Sequence, residues 1–482
     1  MKLSYCLIIT CLLTSPFSLT AQKKSKISSN KQAVMASVEK HKAEMIKMSD
    51  EIWQYAETAF EENQSSKLLS DYAEAQGFTV QKGVAGIPTA FIASYGSGKP
   101  IIGILGEFDA LPGLSQKASP IKEPVTPGAP GHGCGHNLFG VGSMGAAVAI
   151  KELMEAGKLK GTVRFYGTPA EERLFGKLYF AREGLFDDLD VCFDWHPSNS
   201  TKAAVQSSLA LVDFEVEFKG QTAHASADPW NGRSAVDALE FYTTGINYLR
   251  EHIKPTVRIH YQIQQAGTAA NIVPDYAKIW TRVRDTKREG MEEVWKKIER
   301  IAKGAAIMAD VDYEIILVSG IHEILVNRTG GAAMQTNLEL LGDISYTPEE
   351  IVFAKRIQKE TGVRETGIDG IIKPMEETLE HPGGASSDVG DVSWLVPEIR
   401  LSGTTQPAGT PGHSWAVVAC GGMSIGHKGM IYSSKALAMT MVDVFENSKL
   451  LEEVQSEFRQ RKGEYVYKAL LPEGPPPIPS SK

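Results

Sequence analysis

The sequence has little cysteine, five residues in 482. Two of these, Cys6 and Cys11, fall in an apolar leader. That leaves Cys134, Cys192 and Cys420, an odd and scattered set that excludes a disulfide framework. Cys192 and Cys420 lie in apolar runs and read as buried thiols. Positive charge is also lacking. The net charge is -8 and no arginine stripe runs along the chain, which argues against a nucleic-acid or anionic-membrane surface. After the first twenty residues no apolar run is long enough to cross a bilayer, and no internal repeat is visible. With 42% hydrophobic and 22% charged residues, a sizeable core can form and general disorder is excluded. The length fits two or three domains.

The leader has a charged start at Lys2, an apolar run from Leu3 to Leu19, and Thr20-Ala21 before a basic stretch. Residues 1–21 therefore read as a secretory signal, and Pro16 with the short run argues against a spanning helix. The mature chain is expected to be exported, periplasmic or secreted. A thiol in an oxidising compartment is easier to understand if a metal holds it.

From 22 to 208, strand patterns alternate with helical ones, and polar residues gather at the strand ends. This predicts an α/β domain on a mostly parallel sheet flanked by helices. A helix is expected over 33–60 and another over 138–155. From 209 to 325 the order becomes strand-helix-strand-strand-helix-strand with alternating apolar positions, an inserted smaller α+β domain. The first domain resumes over 326–470, and the Pro/Ser-rich residues 471–482 are expected to be a flexible tail.

The chemistry centres on Pro130-Gly-His132-Gly-Cys134-Gly-His136-Asn137. Alternate residues of an extended chain face the same way, so Cys134 and His136 can meet one ion. A thiolate beside an imidazole suits Zn²⁺ and similar cations. The segment alone leaves open a glycine-rich turn with a buried thiol and two hydrogen-bonded histidines. Glu171-Glu172, His196 and His413 stand after strand-like runs or in Gly/Pro loops, where active-site groups collect. Adjacent carboxylates on an extended segment face different ways, so one can bind a metal while the other faces water.

Eight motifs in order from Gly106 to Trp415 resemble the zinc-dependent aminoacylase/carboxypeptidase amidohydrolases: GEFDALPG, GHGCGHN, TPAEE, DWHP, KGQTAHASADPWNGRSAVDALE, NIVPD, SSDVGDVSW and GTPGHSW. The resemblance implies a site for two divalent ions, with Cys134, His136, Glu172, His196 and His413 as ligands. Zinc is favoured on ligand softness, and manganese, cobalt or nickel also fit. It implies Glu171 as general base and Asp109 as the carboxylate orienting a ligand. Glu107 stands where relatives with another ligand set carry a metal-binding histidine, and its role stays open. His132 is expected to make a loop hydrogen bond; Asp388 and Asp391 either support the site or order a Gly/Ser loop. His224 and Asn271 would bind substrate or its oxyanion, the histidine in a partner's site. The inserted domain would pair the chain with a second copy or a related chain. The expected enzyme cleaves the amide between an acyl or aroyl group and an amino acid. Hydrolysis of short unusual dipeptides and non-catalytic metal or amino-acid binding are the alternatives.

Overall fold

The computed structural model describes residues 27–377 and 384–479, so the expected signal segment lies outside the described residues. The chain opens with α1 (Ser29–Tyr55) and α2 (Asn63–Ala75), then β1 (Thr79–Lys82), β2 (Phe91–Ser97) and β3 (Ile101–Gly106). Next come α3 (His136–Glu155), β4 (Gly161–Gly167), α4 (Lys177–Arg182), β5 (Val191–Ser198) and β6 (Lys202–Ala203). A second unit holds β7 (Ala210–Lys219), α5 (Ala235–Leu249), β8 (Arg258–Ala266), β9 (Tyr276–Asp285), α6 (Arg288–Ala309) and β10 (Asp312–Ile321). The chain returns with α7 (Arg328–Leu341), α8 (Pro348–Glu360), α9 (Val389–Ser393) and β11 (Glu398–Thr404). It closes with α10 (Trp415–Gly421), α11 (Ser424–Glu446) and α12 (Ser448–Lys462).

The large sheet runs β1-β2-β4-β3-β5-β11-β6. Its middle pairs, β4–β3, β3–β5 and β5–β11, are parallel, and the outer pairs are antiparallel. Parallel strands need both faces covered, and the middle ones are almost wholly buried. Helices α1, α3 and α11 pack on one another, and α3 and α11 also pack on the strands.

Ser28 starts α1 by accepting a hydrogen bond from the Lys31 N–H at 3.3 Å. The helix stops at Tyr55, short of the expected residue 60. Glu57 is needed elsewhere: its carboxylate accepts from the N–H groups of Gln64 and Ser65, both at 2.9 Å, and so caps α2.

The smaller sheet, β10-β7-β9-β8, is antiparallel throughout. Along β9, Ala277, Ile279, Thr281 and Val283 are buried, most of them in a core shared with α5 and α6. The alternate residues Lys278, Trp280, Arg282 and Arg284 occupy the other face. Of the tail expected to be flexible, residues 471–479 are described and form no helix or strand. Leu471 and Ile478 pack against the main core, and Gly474 O accepts from Arg182 at 2.8 Å.

Helix α3 is laid unusually close to the sheet. A Cβ on Gly140 would stand 2.6 Å from the carbonyl oxygen of Glu107, and one on Gly142 would stand 2.9 Å from the Trp195 ring. Glycine costs about 1 kcal/mol against alanine in a helix. Here it lets α3 rest on the strand ends that carry Glu107 and His196. Gly142→Val should therefore lose roughly 1–3 kcal/mol of unfolding free energy by overpacking. Chemical denaturation showing no loss would mean the contact is slack.

Candidate metal centre

The carboxyl ends of the parallel strands bring the chemistry together, as expected of such sheets. Glu107 and Asp109 follow β3, Glu171 and Glu172 follow β4, and His196 lies in β5. The loop before α3 supplies Cys134, His136 is the first residue of α3, and His413 follows β11. Two of these turns are strained. Ala170 has φ 61° and His413 φ 48°, left-handed values that cost non-glycine residues about 1–3 kcal/mol each.

Asp109 is buried, and both its oxygens are engaged. Oδ1 accepts from His136 Nδ1 at 2.8 Å, and Oδ2 accepts from the Glu172 N–H at 2.9 Å. His196 donates from Nδ1 to the Pro197 carbonyl at 2.8 Å, leaving Nε2 3.4 Å from Cys134 Sγ. In both rings the second nitrogen faces the cluster, the arrangement of metal-ligating histidines. Glu172 Oε2 lies 3.5 Å from His413 Nε2.

The ligand atoms of Cys134, His136 and His196 all lie within 4.8 Å of one another, as do those of Cys134, Glu172 and His413. Cys134 is common to both sets, so the five residues named from the resemblance share one place. Buried atoms His136 Nε2 and Glu172 Oε1 have no hydrogen-bond partner. Thiolate, imidazole and carboxylate are fitting donors for divalent ions, and these five residues would hold them.

The electrostatics agree with this. Burial, then Glu172, pushes the Cys134 thiol up. Burial outweighs the opposing His136 charge and pushes Glu172 up to about 7. Glu171 is held well above the ordinary carboxylate value by burial, then by Glu107, Glu172 and Asp388. Burial works against a charge on His136, but Glu107, Cys134 and Asp109 outweigh it and hold its pKa high. Burial and then His136 bring His196 down to about 4, which keeps its lone pair free. A dication would stabilise every anionic form here and lower the raised values.

The two adjacent glutamates face apart. Glu172 reaches the Cys134–His413 group, and Glu171 lies with Glu107 and His136, again within 4.8 Å. His132 donates from Nε2 to the Ile52 carbonyl at 2.9 Å, a loop bond away from the donor sets. Asp388 accepts from the backbone and side chain of Lys177, and Asp391 pairs with His322 at 2.8 Å. His224 and Asn271 are exposed and adjacent on the smaller unit, and neither borders the cavity beside the donors.

That cavity, about 470 Å³, lies between the two units. Cys134, Glu171, Glu172 and His196 form one wall, and Arg282 and Arg284 of β9 approach from the other unit. Arg282 pairs with Asp213, whereas Arg284 has no ion pair among the described residues and its Nε is buried without a partner. The alternation in Trp280-Thr-Arg282-Val-Arg284 was the available signal for this cationic face, and sequence reasoning passed over it. It also missed Lys177, fully buried against Glu107 and Asp388.

Residues 209–307 match the M20 peptidase dimerisation domain. The chain is 39% identical over 459 residues to a subunit of p-aminobenzoyl-glutamate hydrolase from Escherichia coli (strain K12), covering 90% of this chain and 95% of the relative. It is 30% identical over 431 residues to Xaa-Arg dipeptidase of Mus musculus, covering 86% and 88%. Among solved structures, a dinuclear metal-binding peptidase of the M20 family from Bacillus subtilis superposes with a TM-score of 0.56 at 19% identity, covering 85% of this chain and 99% of its own.

Proposed function

The chain belongs to the M20 family of peptidases and amidohydrolases, and on that premise we propose that it cleaves N-acyl or N-aroyl amino acids, with p-aminobenzoyl-glutamate the first substrate to test. The observation that carries this reading is the divergence of two adjacent carboxylates, Glu172 toward Cys134 and His413, Glu171 toward Glu107 and His136. Two ions held by Cys134, His136, Glu172, His196 and His413 would polarise the amide carbonyl and acidify a water. Zinc fits the sulfur and nitrogen donors, nickel the imidazoles and manganese the carboxylates, with cobalt between manganese and nickel in the general order of affinity. Glu171 accepts the proton of the attacking water and delivers it to the leaving nitrogen, so the amino acid departs as an amine. Arg284 holds a carboxylate of that amino acid.

A dipeptidase reading draws on the likeness to Xaa-Arg dipeptidase. Arg284, with no ion pair among the described residues, disfavours a cationic leaving group and favours an acidic one. A purely binding protein would have no use for the Glu171 carboxylate beside the donors. The same proposal has the chain exported on the strength of its apolar leader, and finding the uncleaved protein in the cytoplasm would exclude that part.

The smaller unit carries the dimerisation role in this reading, with either a second copy or a related chain as partner. His224 and Asn271, remote from their own cavity, would then serve the partner's. Co-expressed His224→Ala and Glu171→Gln chains should recover about a quarter of wild-type activity on random pairing in a twofold dimer. Activity no greater than that of the two variants alone would refute it.

Hydrolysis of p-aminobenzoyl-glutamate should exceed that of Xaa-Arg dipeptides, and the reverse order would favour the dipeptidase. Glu171→Gln should keep the metal while turnover falls about 10²–10⁴-fold or more. Glu172→Gln should weaken metal binding, with activity partly restored by excess metal. Metal loss from the first variant and turnover loss alone in the second would exchange the two roles.

A further inference from the structure

We propose that the cavity beside the donors continues into a cationic subsite at Arg258 and His260, and that the chain releases acidic peptides as well as single amino acids. The inference rests on the amidohydrolase reading and extends it to what the leaving nitrogen carries.

A second cavity, about 700 Å³, adjoins the first and shares Arg284 and Gly384 with it. Arg258, His260, Thr256 and Thr286 supply its other polar lining, and no acidic residue joins them among the described residues. The carboxylates that line the first cavity, Glu171 and Glu172 among them, have no counterpart here.

Strand register accounts for the charge. Arg258 of β8 stands directly opposite Arg284 of β9, and His260 stands opposite Arg282. Residues so paired share one face of the sheet, here the face turned away from α5 and α6. On the next strand, β7, Asp213 meets Arg282, whereas only Leu211 meets Arg284. Like charges directly opposite one another destabilise a sheet. Arg258 donates from Nη1 to the carbonyls of Pro255 at 2.5 Å and Val257 at 2.9 Å, which fixes its guanidinium without neutralising it. Among the described residues Arg258, His260 and Arg284 make no ion pair, and Arg284 Nε is buried without a partner. Burial and then Arg282 lower the Arg284 pKa, so an anion between the strands would relieve a crowded cation. Guanidinium groups match carboxylates in both charge and hydrogen-bond geometry.

The first carboxylate of the leaving amino acid stays on Arg284. An acidic residue joined to that amino acid runs along the sheet face and sets its own carboxylates against Arg258 and His260. The reaction is unchanged: the water hydroxyl goes to the acyl carbon, the carbon–nitrogen bond breaks, and the remaining water proton passes through Glu171 to the nitrogen. The amine that departs is then the N-terminus of an acidic peptide.

The test follows release of p-aminobenzoate from p-aminobenzoyl-glutamyl-glutamate, joined through either carboxyl of its first glutamate. The control is the matching chain ending in glutaminamide, which has the size without the added charges. Metal-loaded wild-type protein should process at least one acidic form with kcat/KM roughly 3–10-fold above its neutral match, the modest scale of exposed ion pairs. In the double variant Arg258→Gln, His260→Gln that margin should vanish through a rise in KM, with kcat unchanged. Equal kcat/KM for acidic and neutral tails in the wild type, or a margin that survives in the variant, would overturn the proposal. Calorimetry reads the subsite without turnover. Free glutamyl-glutamate should bind metal-loaded wild-type protein more tightly than glutamate does, and lose that advantage in the variant. Equal binding of the two to the wild type would also overturn it. Failure to release p-aminobenzoate from any of these, or from p-aminobenzoyl-glutamate, sinks the substrate reading instead, and the calorimetry then decides the subsite alone.

Discussion

The Asp109 carboxylate is the constraint on which the site depends. One oxygen fixes the His136 ring and the other holds the Glu172 backbone N–H. It thereby links the start of α3 to the loop after β4, two segments that no strand pairing brings into register. His136 and Glu172 belong to different donor sets, so one carboxylate orients a residue in each. Its position comes from β3, at the centre of the parallel strands, where burial leaves the chain little freedom.

Around that link the protein concentrates negative charge and offsets it with few cations. Glu107, Asp109, Glu171, Glu172 and Asp388 are drawn together, against the single buried amine of Lys177. Folding such a cluster is costly, and the left-handed turns at Ala170 and His413 add to the cost. Divalent ions binding only the folded state would recover part of it by mass action. The smaller unit then closes the cavity with the positive face of β9. In this account metal donors activate the amide while arginines from a separate sheet select what is attached to it.

Much of this was legible in the sequence, where local pattern and function coincide. The alternation in β7 and β9 and the order of elements in the smaller unit reflect half-buried strands against two helices. The ligand candidates stood at the ends of apolar strands, and the structure brings five of them together. What stayed hidden was non-local. The end of α1 depends on Glu57 being taken by α2, and Lys177 meets partners 70 and 211 residues away. A buried lysine has the same local sequence signature as an exposed one.

The most direct test of the account is metal titration calorimetry on Asp109→Asn. An asparagine amide cannot accept from both His136 Nδ1 and the Glu172 N–H, because one of its ends is a donor. The variant should remain folded while its affinity for both ions falls, each by about 10–100-fold. A folded Asp109→Asn protein that binds two ions with wild-type affinity would contradict the claim that this carboxylate organises the site.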